Sequence, residues 1–117
     1  MTATVHADRP DTPEAAGLEV AVTPGPQPGR VHVRVSGEID FDNAGNLRDA
    51  LLTALVTHRG TLLLDLSRVT FCDCAGLNVL LAARATAQRA GRRLCITRAG
   101  RPVERLLDLT ATRPYLT

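Results

Sequence analysis

A carboxylate and a thiol stand side by side in Asp73-Cys74-Ala75-Gly76. Leu62-Leu63-Leu64-Asp65-Leu66 before them reads as an internal strand, and Leu77-Asn78-Val79-Leu80-Leu81 after them reads as a helix. The carboxyl end of an internal strand, met by a helix N-terminus, is where open α/β sheets present working residues. An aspartate there caps the helix by accepting backbone N–H bonds, and is also free to meet a partner. A thiol there is a candidate nucleophile, because the positive end of a helix favours a thiolate. Asp73 works against that, and the plainer role for Cys74 is a small, partly buried filler. Neither Cys74 nor Ala75 offers a hydroxyl.

A second acidic group lies at Gly37-Glu38-Ile39-Asp40. If its strand runs parallel to the one before Asp73, Glu38 and Asp40 share a rim with Asp73. The competing reading is turn chemistry, since glycine and aspartate are ordinary loop residues. Cys72-Asp73-Cys74 has poor zinc spacing, because structural sites prefer two to four residues between paired cysteines and need about four ligands. Cys95 falls in a strand pattern and reads as core. His6, His32 and His58 pair with no recognisable nucleophile. No metal, cofactor or catalytic residue is therefore expected, and the chain is not expected to be an enzyme.

Composition narrows the classes further. All 14 basic residues are arginine, so a lysine Schiff base and a Walker-type phosphate loop are both excluded. Residues 1–80 carry a charge of −4 and residues 81–117 carry +6. Aromatics make up only 3% of the chain, and no stacking platform accompanies the arginines. The basic half, Arg84, Arg89, Arg92, Arg93, Arg98 and Arg101 among others, reads as a solvated or protein-facing surface, with no nucleic-acid partner. No apolar run approaches the ~20 residues of a membrane helix, and Met1–Ala16 has no apolar signal core. A cytoplasmic protein with free thiols, monomeric or weakly dimeric, is expected.

The elements that must position these residues follow from periodicity. Residues 1–16 are polar, hold Pro10 and Pro13, and predict a disordered tail ahead of one domain over 17–117. Leu18, Val20, Val22 and then Val31, Val33, Val35 alternate with polar residues, predicting an antiparallel hairpin around a proline-rich loop. Asp42 is the expected N-cap of a helix over about 43–58, with Leu47, Ala50, Leu51, Ala54 and Leu55 as its apolar stripe and Gly60 as its left-handed stop. The strand over 62–66 is expected to be covered on both faces, and the helix from Ala75 to be buried nearly all round. Residues 93–97 predict a further parallel strand, Pro102 opens a last helix, and 113–117 predict a short strand or loose tail. The fold class is α/β: a small mixed sheet with helices in the order ββαβαβα.

These pieces, in this order, resemble the STAS domain, specifically the bacterial anti-sigma factor antagonists. The resemblance spans about Leu18 to Ala111. It rests on Gly37-Glu38-Ile39-Asp40, on Leu64-Asp65-Leu66-Ser67-Arg68-Val69-Thr70-Phe71, and on Asp73-Cys74-Ala75-Gly76-Leu77. In that family the residue after the aspartate is a serine, phosphorylated by an ATP-using anti-sigma kinase; the unphosphorylated antagonist binds that kinase and frees a sigma factor. The resemblance implies the same partner, docked at Glu38, Asp40, Asp73, Cys74, Ala75 and Gly76. It places Cys74 at the phosphoacceptor position, where a thiol is no substrate for a serine kinase. The alternative is a thiol redox sensor using Cys74 and Cys72 on the same scaffold.

Overall fold

The computed structural model describes the backbone of residues 3–6 and the whole of 17–117. The chain runs β1 (Ala3–His6), β2 (Leu18–Pro24), β3 (Arg30–Ile39), α1 (Ala44–Thr57), β4 (Thr61–Cys72), α2 (Cys74–Arg89), β5 (Leu94–Ala99), α3 (Arg101–Leu109) and α4 (Arg113–Leu116). The strands form one sheet in the order β1-β2-β3-β4-β5. The β1, β2 and β3 pairings are antiparallel, whereas β4 lies parallel to β3 and β5 parallel to β4. From β2 through α3 this is the anticipated ββαβαβα order in a mixed sheet, with α4 added at the end.

Valine and leucine alternation builds the core. Val20, Val33, Val35, Leu62, Leu64 and Leu66 are wholly buried on one sheet face, against α1, α2 and α3. Leu47, Ala50, Leu51, Ala54 and Leu55 of α1 are all buried, as their spacing requires. The other sheet face is open: His32 and Arg34 are exposed, and Leu63 and Asp65 only half-buried. The strand over 62–66 is thus covered on one face, not two. Asp65 explains why, since a carboxylate there needs a polar environment. Burial alone would raise its pKa, but bonds from the Ser67 hydroxyl and backbone N–H, with Arg98 and Arg34 nearby, hold it below the usual carboxylate range.

Several other expectations are corrected. Residues 3–6, placed in a disordered tail, pair with β2 from Ala3↔Val22 to His6↔Glu19. They cover an edge whose N–H and C=O groups would otherwise lack strand partners; the rest of 1–16 lies outside the described residues. The strand expected over 62–66 runs on to Cys72, carried through register shifts at Arg34/Ser36 and Gly37/Glu38. Likewise β3 runs on through Glu38 and Ile39 rather than ending at Gly37. The N-cap of α1 is Asn43, not Asp42.

Gly60 does not cap α1, which ends at an extended His58. Its φ of +104° serves a backbone crossing, where an added Cβ would sit 2.2 Å from the Gly29 carbonyl oxygen. The start of α2 buries a stripe of Gly76, Leu77, Leu80 and Ala83 and leaves Cys74, Asn78 and Ala82 exposed. Residues 113–116 are a helical turn, neither strand nor tail, because Leu116 inserts fully into the core.

Candidate functional site

The site lies where β3 and β4 end together. Their parallel register pairs Glu38 with Phe71 and Ile39 with Cys72, and the Asp73 N–H donates to the Ile39 carbonyl at 3.2 Å. The Glu38–Asp40 and Asp73–Gly76 segments therefore share one end of the sheet, as parallel pairing requires.

Each acidic loop is built by its own aspartate. The Asp73 Oδ1 atom accepts from the N–H groups of Ala75 at 2.9 Å and Gly76 at 3.2 Å, so Asp73 is the N-cap of α2. The Asp40 Oδ1 atom accepts from Asp42 N–H at 3.0 Å and Asn43 N–H at 3.1 Å. Asn43 returns the bond, its Oδ1 accepting from Asp40 N–H at 2.9 Å, and its Nδ2 donates to the Glu38 carbonyl at 2.8 Å. Turn chemistry is thus what Asp40 does within the chain. Asn43, a buried polar side chain 3% exposed, ties the end of β3 to α1. Periodicity alone missed it; the only signal is the aspartate three residues earlier.

The two thiols of the motif differ sharply. Cys72 is buried, with its Sγ only 2.8 Å from where a Cβ on Gly76 would be; Ile39 Cγ2 would be 2.6 Å away. A glycine at 76 is what lets α2 start this close to β3 and β4. Burial first, and then Asp73 and Cys74 beside it, push the Cys72 pKa up to about 11. Cys74 is exposed at the first turn of α2, not the partly buried filler expected.

Two residues that sequence reading passed over also stand here. Phe41 is 81% exposed and Phe71 48% exposed, and they are the chain's only phenylalanines. Their signal was available: the two largest apolar side chains of an aromatic-poor chain sit inside acidic segments.

Among the described residues no group of three His, Cys, Asp or Glu side chains is arranged to hold a metal ion. His32 is exposed in mid-strand and His58 lies at the far end of α1. The arginines of the basic half have separate tasks. Arg84 stacks over Tyr115 at 5.7 Å, Arg89 donates to Thr86, and Arg92 donates to carbonyls at the end of α1. Among the described residues no helix is long and apolar enough to cross a membrane.

A family model described as Mlab, STAS domain matches residues 23–112. The chain belongs to the STAS domain family. A solved anti-sigma factor antagonist from Mycobacterium paratuberculosis is similar at 26% identity, over 85% of this chain and 82% of that one, with a TM-score of 0.74. The anti-sigma factor antagonist SpoIIAA in its unphosphorylated form shares 17% identity over 84% and 85% of the two chains, with a TM-score of 0.68. The Bacillus cell fate determinant SpoIIAA in its phosphorylated form shares 16% identity over 84% and 88%, with a TM-score of 0.63. At those identities the likeness to SpoIIAA is one of fold.

In this STAS domain the thiols should separate by reactivity. Iodoacetamide at about pH 8, where an ordinary thiol is partly ionised, is expected to alkylate Cys74 in the folded protein and spare Cys72 until urea unfolds it. Mass spectrometry of native and unfolded samples reads this directly, and equal labelling of both in the native state contradicts the geometry. The raised Cys72 pKa also sets a sign. Folding favours its protonated form, so its contribution is complete below an unfolded thiol's pKa and is lost as pH rises toward about 11.

Proposed function

We propose that this STAS domain is a non-catalytic docking module of the anti-sigma factor antagonist kind, which binds an ATP-using anti-sigma kinase at the ends of β3 and β4. Glu38, Asp40, Asp73, Cys74, Ala75 and Gly76 form the contact. The observation that carries this reading is the Ile39↔Cys72 pairing, which brings both acidic loops to one rim with the Cys74 thiol exposed between solvent and helix. The solved relatives support it, since the chain shares 26% identity with an anti-sigma factor antagonist over most of both lengths.

Cys74 alters the regulation rather than the docking. A serine kinase transfers phosphoryl to a hydroxyl whose proton it removes; a thiol in that place does not complete the transfer. Binding by this chain is therefore constitutive, or set by how much of it the cell makes. Titration calorimetry with each purified ATP-binding anti-sigma kinase of the source organism tests the docking. A saturable complex with one of them is expected, and no complex with any of them overturns the reading.

A redox sensor built on Cys74 and Cys72 is the weaker reading. Cys72 sits in the core beneath Gly76, and burial holds its thiol protonated, whereas a resolving thiol must reach the thiolate form.

A further inference from the structure

We propose that Phe41 and Phe71 are the two anchors of the docking surface, and that they select a partner face with an apolar recess inside a basic rim. The inference rests on the docking reading above and adds what recognises the partner. Its starting point is a mismatch between residue type and environment. A chain with 3% aromatic residues could place its only phenylalanines in the core; instead it holds both at the surface, 81% and 48% exposed.

Their placement is fixed by the backbone. Phe71 pairs with Glu38 across the β3–β4 register, next to the Ile39↔Cys72 pair that fills the core, so Phe71 and Glu38 share the sheet's open side. Phe41 follows Asp40 in the turn that the Asp40–Asn43 bonds hold rigid. Both rings thus ride on ordered backbone, so the backbone part of the ordering cost of binding is already met and only the ring rotamers remain to be fixed. Aromatic side chains, phenylalanine among them, are enriched in the buried cores of protein interfaces, where a few anchors seated in pockets carry most of the binding energy.

Charge decides the occupant. Residues 37–46 and 69–83 contain Glu38, Asp40, Asp42 and Asp73 and no Arg, Lys or His; exposed Arg68, paired with Ser36 further down the β3–β4 ladder, borders this acidic end without cancelling it. A second copy docked face to face would set like charges against each other around the rings, which disfavours self-association. A partner with arginine or lysine around an apolar recess complements both features.

The roles of rings and carboxylates separate kinetically. Truncating a buried anchor speeds dissociation, whereas removing a rim charge slows association and flattens the salt dependence. Phe41→Ser, Phe71→Ser, the double variant, and a Glu38→Gln/Asp42→Asn variant are compared with wild type by surface plasmon resonance. The immobilised probes are the purified anti-sigma kinases of the source organism. Each ring variant is expected to weaken binding by roughly tenfold or more and the double variant by ~100-fold, chiefly through faster dissociation. The acid variant is expected to act through association. Unchanged circular dichroism is expected throughout, because neither ring packs in the core.

A double variant that binds within about threefold of wild type overturns the anchors and leaves the docking reading standing. Wild type that binds no kinase overturns both. A wild-type homodimer that the double variant abolishes, read by light scattering, assigns the rings to a second copy and overturns the partner proposed here.

Discussion

Gly37→Val is expected to destabilise the domain by about 3–5 kcal/mol, a large part of the ~5–15 kcal/mol that holds a domain folded. Gly37 has φ +99°, which a β-branched residue adopts only with strain. Its Cβ would stand 1.7 Å from the Gly17 carbonyl oxygen, a backbone atom that itself accepts the Glu38 N–H at 2.9 Å. Relief therefore means breaking the β2–β3 end where Glu38 and Asp40 begin. Gly29→Val is the control: it too has a positive φ, +80°, but nothing lies within 4 Å of its added Cβ. Urea unfolding should show the loss at Gly29 to be about half that at Gly37 or less. Equal losses would mean that strain alone, and not the contact with Gly17, fixes glycine there.

Arg92→Leu carries the second large effect, about 3 kcal/mol. Its guanidinium donates to the His58 carbonyl at 2.7 Å, to the Gly60 carbonyl at 3.0 and 3.1 Å, and to the Leu55 carbonyl. These are carbonyls at the end of α1 and in the turn into β4, acceptors that a helix end leaves without intrahelical partners. A planar fork reaches three carbonyls at once, whereas an ammonium is a single compact charge, so Arg92→Lys should recover less than half of the loss. Chemical unfolding of both variants checks the ranking. Gly60 precedes β4 and Asp73 follows it, so Arg92 acts at the opposite end of the sheet. Partner affinity per folded molecule should stay unchanged, and a loss of affinity would show that the two ends are coupled.

The sequence pattern carried the frame and lost the exceptions, for physical reasons. Alternating valines in 18–35 and the α1 stripe are set by burial on one face, so periodicity reads them well. Asp73 as cap was legible because the bond is local, from a side chain to N–H groups two and three residues on. The continuation of β4 through Ser67, Arg68 and Thr70 was not, since those residues are exposed and their pairing depends on register shifts in a neighbouring strand. Arg92 looked like surface charge because its acceptors lie 32 to 37 residues away. Asn43 and the reciprocal bonds to Asp40 were read as an Asp42 cap one residue early. Residues 3–6 showed too short a pattern to separate a strand from a polar segment, and only an edge in need of pairing gives them a structure.

On the function proposed above, the domain keeps a docking surface for the kinase, and Cys74 stands where a phosphorylatable serine would. Incubation of the wild type and of Cys74→Ser with the bound kinase and radiolabelled ATP tests it most directly. The account predicts no incorporation into the wild type and stoichiometric labelling of Cys74→Ser at the substituted position. Stoichiometric labelling of the wild type, at Ser67, Thr70 or any other hydroxyl, would contradict it.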